Sequence, residues 1–119
     1  MNALLDHTEL IDFGRNITTE GVNLPLPMYG HCLVRIDDFV IMLIGGMSKN
    51  GVLSQTWFIY YGEWIVGPEI KHPRYLHSCG LQQNKVVISG GRNEDDLEMD
   101  SVEMLDVTSS SSEWISGKY

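Results

Sequence analysis

The sequence contains few cysteines, and no recognisable motif surrounds them. The chain has two cysteines, Cys32 and Cys79, and two are too few for a disulfide framework. They also lack the CxxC spacing of a metal or redox site. We therefore expect reduced, buried thiols. One bridge between the two segments that carry them stays open as an alternative if the protein is extracellular.

Basic residues are also scarce. Eight Lys and Arg stand against sixteen Asp and Glu, which gives a formal net charge of −8. A nucleic-acid backbone would be repelled by this field unless a local basic stripe overcame it, and the basic residues are scattered along the chain. Nucleic-acid binding is therefore disfavoured.

Long apolar runs are absent. The longest wholly apolar run extends from Phe39 to Ile44, far short of the roughly 20 residues that cross a bilayer as a helix. The first residues, MNALLDHTELIDF, have neither the basic region nor the apolar core of a signal peptide. We expect no membrane insertion, and the localisation is left unknown with the cytoplasm as the default.

Helical periodicity is missing as well. Short runs rich in β-branched and aromatic residues are separated by clusters of Gly, Asn, Asp and Ser, and no segment sustains a 3.6-residue repeat. This pattern predicts an all-β chain. Because the run FVIMLI (39–44) has no polar alternation, we expect both faces of that strand to be buried.

Two double glycines reveal an internal repeat, since one closes FVIMLIGG and the other closes KVVISGG 45 positions later. Its anchors recur in the same order: His31, Gly45, Gly46 and Trp64, then His77, Gly90, Gly91 and Trp114. A repeat with a fixed period indicates a repeat architecture, in which each copy forms one structural unit. The recurrence predicts complete four-stranded units in 28–70 and 71–119, preceded by the back half of another unit in 1–27.

This ordered set of anchors resembles the kelch repeat, in which a His, a Gly-Gly pair and a Trp mark successive strands. Kelch units are about 50 residues long, and each forms one blade of a β-propeller. The resemblance covers roughly Thr8 to Gly117 and implies four-stranded antiparallel blades of an incomplete kelch-type β-propeller. Met28 departs from the family arginine, which Arg74 matches, and Leu105 departs from the family tyrosine, which Tyr60 matches.

The resemblance further implies a protein-interaction scaffold or substrate adaptor that binds an unidentified protein partner through loops on one propeller face. By that analogy the candidate surface comprises 48–52, 71–74 and 92–100. The candidate binding residues are Lys49, Asn50, Lys71, Arg74, Arg92, Asn93, Glu94 and Asp95. The acidic run in 94–100 is expected to be a solvated loop, and recognition of a basic partner is the alternative, because loops on a rigid scaffold often carry binding.

Catalytic and metal motifs are missing from the chain. It has no nucleophile elbow, phosphate loop or dinucleotide fingerprint, and no third ligand recurs with His31 and His77. We expect histidines hydrogen-bonded inside each repeat, and no cofactor or metal. The alternative is part of a copper oxidase that resembles galactose oxidase, for which Tyr60, His31 and Cys32 supply the ligand types.

The number of units is too small for a closed ring. Propellers usually close with about four to eight blades, and a single repeat cannot bury its faces alone. Two and a half units leave the outer flanks of FVIMLI and KVVIS partly uncovered. We therefore expect a fragment of a longer propeller, or self-assembly with further copies.

Overall fold

A computed structural model of the chain describes residues 5–7, 10–12, 17–19, 23–109 and 112–117, with side chains from Leu24 onward. Much of the half unit expected in 1–27 lies outside these residues. The described residues form strands and no helix, and so they include no helix that could cross a membrane.

The strands of the described residues are short and numbered in chain order. They are β1 (Leu5–His7), β2 (Leu10–Asp12), β3 (Ile17–Thr19), β4 (Asn23–Met28), β5 (Cys32–Arg35), β6 (Val40–Ile44), β7 (Met47–Ser48), β8 (Gly51–Val52), β9 (Thr56–Tyr60), β10 (Glu63–Val66), β11 (Ser78–Gln82), β12 (Lys85–Ser89), β13 (Val102–Asp106) and β14 (Ile115–Gly117). Small antiparallel pairs are formed by β1 with β4, β2 with β3, and β7 with β8.

Two four-stranded antiparallel sheets dominate the described structure. The first sheet has the order β10-β9-β6-β5, and the second sheet has the order β11-β12-β13-β14. Their registers correspond, because Val40 pairs with Tyr60 in the first sheet as Lys85 pairs with Asp106 in the second. The predicted fold class is confirmed. Within the described residues the sheets do not close into a ring.

Strand β6 separates two hydrophobic cores. Ile41 and Leu43 belong to the core against the preceding chain, whereas Met42 and Ile44 belong to the core between the two sheets. Successive side chains of a strand point to opposite faces, which explains the alternation. The predicted burial of both faces is confirmed over these four residues. Phe39, which precedes the strand, is the exception and is 63% exposed.

Each core is built from both of its neighbouring layers. The core between the sheets also contains Val34, Ile70, Val86, Ile88, Leu105 and Trp114. The core on the other face of the first sheet also contains Leu24, Met28, Leu53, Trp57 and Ile59. Removing this apolar surface from water is the main source of stability, at about 25 cal/mol per Å². The same packing fixes how the loops of one sheet sit beside those of the next.

Candidate functional site

The double glycines follow the last residues of β6 and β12, and they therefore lie at one end of both sheets and not along an outer strand. Gly45 and Gly90 have φ angles of 63° and 71°, a region that glycine occupies at little cost. A Cβ on Gly45 would lie 2.7 Å from the carbonyl oxygen of Arg74. Glycine therefore lets the chain leave the sheet while the next unit passes directly against it. We call this side of both sheets the glycine edge.

The loops that leave the glycine edge are tied to each other across the two sheets. A carboxylate oxygen of Glu94 accepts a hydrogen bond from the backbone N–H of Val52 at 3.0 Å. Gly51 makes room for this contact, since a Cβ there would lie 2.5 Å from the other carboxylate oxygen. The loops 47–53 and 91–101 thus form one continuous surface.

The acidic loop is shaped by its own side chains. Arg92 donates to the carbonyl of Asp96 at 2.6 Å, and its guanidinium lies 3.5 Å from the carboxylate of the same residue. The side-chain oxygen of Asn93 accepts the N–H groups of Asp95 and Leu97 at 2.9 and 3.1 Å. Arg92 and Asn93 therefore hold the loop, whereas Asp95 and Leu97 face solvent.

The structure places the remaining predicted binding residues at the same edge. Lys49 and Asn50 are exposed at the tip of the β7–β8 hairpin, and Lys71 is exposed in the connection between the sheets. That connection is attached to the loop 47–55 because the N–H of Ile70 donates to the carbonyl of Ser54 at 2.9 Å. Five of the eight candidates are thus exposed to a partner, and they are Lys49, Asn50, Lys71, Glu94 and Asp95.

Arg74 is in the interior, although the sequence analysis placed it on the binding surface. Its guanidinium lies 2.9 Å from the carboxylate of Glu103, and both side chains are fully buried. It also donates to the carbonyls of His72, Gly90 and Ser101. A buried guanidinium is tolerated only when its donors are satisfied in this way. Arg74 therefore fastens three segments of the second unit and is inaccessible to a partner.

Sequence reasoning did not identify Glu103, the centre of this network. Its two oxygens accept the backbone N–H groups of Lys71 at 2.6 Å and His72 at 3.0 Å. The internal repeat was the signal that could have drawn attention to Glu103, because the equivalent residue of the first unit is of a different type. Trp57 pairs with Leu43 across the first sheet as Glu103 pairs with Ile88 across the second, so Trp57 replaces the buried carboxylate.

The first unit has apolar residues at both positions of the ion pair. Counting back from the histidine anchors, Met28 takes the place of Arg74, and both Met28 and Trp57 are buried in the first core. Pro25 takes the place of Lys71 and has no N–H to donate. In the first unit, apolar groups therefore stand at the positions of the acceptor, the cation and one backbone donor. This explains the Met28 departure noted in the sequence.

Both histidine anchors lie beside the glycine edge, where His77 is buried and His31 is half-buried. Burial lowers the pKa of His77 to about 4, helped by the positive charge of Arg74 and opposed by the nearby Ile44 carbonyl. Burial also lowers the pKa of His31. The expected hydrogen bonds are not formed by the ring nitrogens of His77, which find no well-aligned partner among the described residues. The lowered pKa of each ring favours its neutral form.

The two tryptophan anchors pack where neighbouring layers meet. Trp114 is 1% exposed in the core between the sheets, and its indole N–H donates to the carbonyl of Pro68 at 2.9 Å. Pro68 follows the last strand of the first sheet, so this bond crosses between the two units. Trp64 packs against the first core. A large aromatic group with one polar atom suits such a position.

The cysteines form a disulfide, which overturns the expectation of reduced thiols. Cys32 on β5 is bonded to Cys79 on β11, with 6.2 Å between their Cα atoms. The packing of β5 against β11 brings the two strands together from separate units. The alternative pairing considered in the sequence is thus the one observed.

The copper-site alternative requires side chains that the structure does not assemble. Cys32 pairs with Ile44 at one end of the first sheet, whereas Tyr60 pairs with Val40 at the other, about 13 Å along the strand. Cys32 is also taken up by the disulfide. Across the described ranges, no three or more His, Cys, Asp or Glu side chains are grouped to hold a metal ion.

Comparison with known proteins places these sheets in a family. No protein-family model matches the chain. Kelch-like protein 41b of Danio rerio is 31% identical over 99 residues, and Kelch-like protein 41a of the same organism is 26% identical over 98 residues. Each match covers 81% of this chain, which spans about 16% of the length of these curated relatives. With its two four-stranded antiparallel sheets in corresponding register, the chain belongs to the kelch-repeat family.

Proposed function

We propose that the chain is a protein-interaction scaffold that binds a partner through the loops of its glycine edge. The hydrogen bond from Val52 to Glu94 carries the proposal, because it joins the loops of two units into one surface. Binding residues are commonly found on loops that a rigid scaffold positions. Membership of the kelch-repeat family supports an interaction module in general, and the choice of this surface rests on the loop contacts.

The exposed groups of this surface define the partner that it fits. Leu97 is 60% exposed at the tip of the acidic loop, and the carboxylates of Asp95, Glu98 and Asp100 lie around it in sequence and face solvent. An apolar anchor inside a charged rim is a common arrangement for a binding hot spot. The complementary partner offers an apolar pocket bordered by Lys or Arg.

The binding test uses exposed residues, since truncating Arg92 or Glu94 would disturb the loop itself. A partner is first captured by cross-linking to the chain, and its affinity is then measured with purified components. Leu97→Ser combined with Asp95→Asn is expected to weaken binding about tenfold or more. The matched control is Leu81→Ser, which removes a partly exposed leucine from the opposite end of the second sheet. Equal affinities for all three proteins would exclude this surface.

We also propose that 28–70 and 71–119 are successive blades, and that 1–27 contributes the back half of another. The corresponding registers of the two sheets and the interblade bond of Trp114 support this division. Further blades or further copies then cover the outer faces. Limited proteolysis tests the boundaries, since first cuts inside β6 or β12 instead of near the joints at 27 and 70 would contradict them.

A further inference from the structure

The edge opposite the glycine edge carries a cluster of exposed aromatic side chains. Phe39 is 63% exposed, Tyr60 is 43% exposed and Tyr61 is 74% exposed. The ring centroids of Phe39 and Tyr61 are 6.3 Å apart, and those of Tyr60 and Tyr61 are 4.4 Å apart. Scattered exposed apolar residues need no explanation, but three contacting rings on one edge form a patch that does.

The backbone at Tyr61 is unfavourable for a tyrosine. Tyr61 and Gly62 form the two-residue connection between β9 and β10, with φ angles of 50° and 78°. Hairpin turns with two positive φ angles favour Asn or Asp at the first position, because other residues are strained there. The tyrosine ring gains little burial in return, since it is mostly exposed. A strained residue without structural compensation is a reason to look for a binding role.

A cleft lies between the aromatic rings and the neighbouring turn. It has a volume of about 210 Å³ and is lined by Arg35, Asp37, Asp38, Phe39, Tyr61 and the adjoining backbone. Asp38 pairs with Arg35 at 3.1 Å, and one oxygen of Asp37 accepts the N–H groups of Phe39 and Val40. Two carboxylates against one guanidinium leave the lining with one excess negative charge.

We propose that this cleft binds the cationic side chain of a Lys or Arg residue from a partner protein. Aromatic faces attract organic cations through the ring quadrupole, and the carboxylates of Asp37 and Asp38 reinforce that attraction. The opening suits one extended side chain, whose methylene groups lie along Phe39 while its charged end meets the carboxylates. The site is separate from the glycine edge and gives the chain a second contact surface.

The test is a titration of the isotopically labelled full chain, followed by NMR. The probes are the blocked tripeptides Gly-Lys-Gly and Gly-Gln-Gly, which differ by one charge. We expect saturable shifts at Phe39, Tyr61 and Gly62, and about fivefold tighter binding of the lysine peptide. Tyr61→Asn removes the ring while suiting the positive φ, and it is expected to weaken lysine-peptide binding about fivefold.

Charge controls complete the design. Asp38→Asn should weaken lysine-peptide binding about threefold, whereas Glu113→Gln, which removes one exposed carboxylate charge before β14 and outside both proposed surfaces, should leave it within twofold. Phe39→Ser provides a second ring deletion outside any strand, should Tyr61→Asn disturb the hairpin. The proposal fails if the lysine and glutamine peptides bind equally, if a Gly-Glu-Gly peptide binds more tightly, or if Asp38→Asn and Glu113→Gln change lysine-peptide binding by the same factor.

Discussion

At the scale of single residues, His77 makes stability depend on pH. Its pKa is about 4 in the folded chain, against 6.5 for an ordinary histidine. Above pH 6.5 the ring is neutral in both states, so its packing is retained in full. Between pH 6.5 and 4 the unfolded chain binds a proton that the folded chain does not. The free energy of unfolding therefore falls with falling pH, by roughly 3 kcal/mol in total from this group.

Urea unfolding at pH 7.5, 5.5 and 4.5 measures this loss. The control is His77→Gln, which cannot titrate in this range and should show a shallower decrease over the same interval. The difference between the two proteins isolates the histidine from the carboxylates, which also titrate in acid. Parallel pH profiles for the two proteins would mean that His77 is not the source.

The buried ion pair gives a second prediction at the residue scale. Arg74→Met or Glu103→Trp alone leaves a charged partner unmatched inside the protein, and each is expected to cost about 3–5 kcal/mol of unfolding free energy. Replacing both, as Arg74→Met with Glu103→Trp, copies the pair Met28 and Trp57 of the first unit. The double variant should be less destabilised than the sum of the singles.

A double-mutant cycle by chemical denaturation measures this coupling. The corresponding control is Met28→Leu, a conservative change in the first core that is expected to cost less than about 1.5 kcal/mol. Additive losses in the cycle would show that Arg74 and Glu103 act independently, in spite of the 2.9 Å contact between them.

At the scale of secondary structure, substituting Gly45 and Gly90 distinguishes the cost of backbone strain from the cost of a clash with the next unit. Gly45 and Gly90 are equivalent and have similar φ angles, but an added Cβ would lie 2.7 Å from the Arg74 carbonyl in one case and 3.8 Å from the Met99 carbonyl in the other. Both Ala variants carry a conformational cost of about 1 kcal/mol. Gly45→Ala should cost about 1–3 kcal/mol more, because the next unit must move.

Thermal and urea unfolding of both Ala variants checks this difference. Equal losses would mean that the positive φ angle alone requires glycine, and a larger loss for Gly90→Ala would contradict the interblade contact. The comparison is well matched because the two positions end equivalent strands, β6 and β12.

The elements were the most predictable part of the fold. The repeat anchors and the strand-and-turn pattern predicted four-stranded antiparallel units, because strand propensity and turn chemistry are local. Burial of FVIMLI was predictable except at Phe39, which lies in the turn before the strand. The ends of the hairpins were less predictable, since Tyr61 occupies a turn position that ordinarily favours Asn or Asp.

At the scale of the whole molecule, the disulfide joins the two units. Cys32 and Cys79 are 47 positions apart in sequence, so the bridge restricts a long segment of the unfolded chain. Reduction is expected to lower the unfolding free energy by about 2–4 kcal/mol. Melting curves with and without a phosphine reductant, together with a thiol assay, measure the effect.

The matched control is the double variant Cys32→Ser with Cys79→Ser. It should unfold like the reduced wild-type chain, and the reductant should not change it further. Two titratable thiols in the untreated wild-type protein would contradict the bridge.

The outer face of the second sheet carries apolar side chains, which is consistent with the expectation that further blades or further copies cover it. Val87 pairs with Met104, and Met104 pairs with Ile115, so these side chains form a row on the side facing away from the core between the sheets. Such a row is typical of a face that another layer covers. Light scattering after size exclusion measures the state of the chain, and a cooperatively melting 13.4 kDa monomer would contradict self-assembly.

The sequence by itself determined the strands, the repeat and the glycine positions, since each depends on neighbouring residues or on an internal copy of the same pattern. Tertiary structure decided which polar groups are buried and which are free. Arg74 is buried because Glu103 lies on a distant strand, and Cys32 meets Cys79 because two sheets pack side by side. Such contacts depend on long-range packing, which the local pattern of residues does not specify.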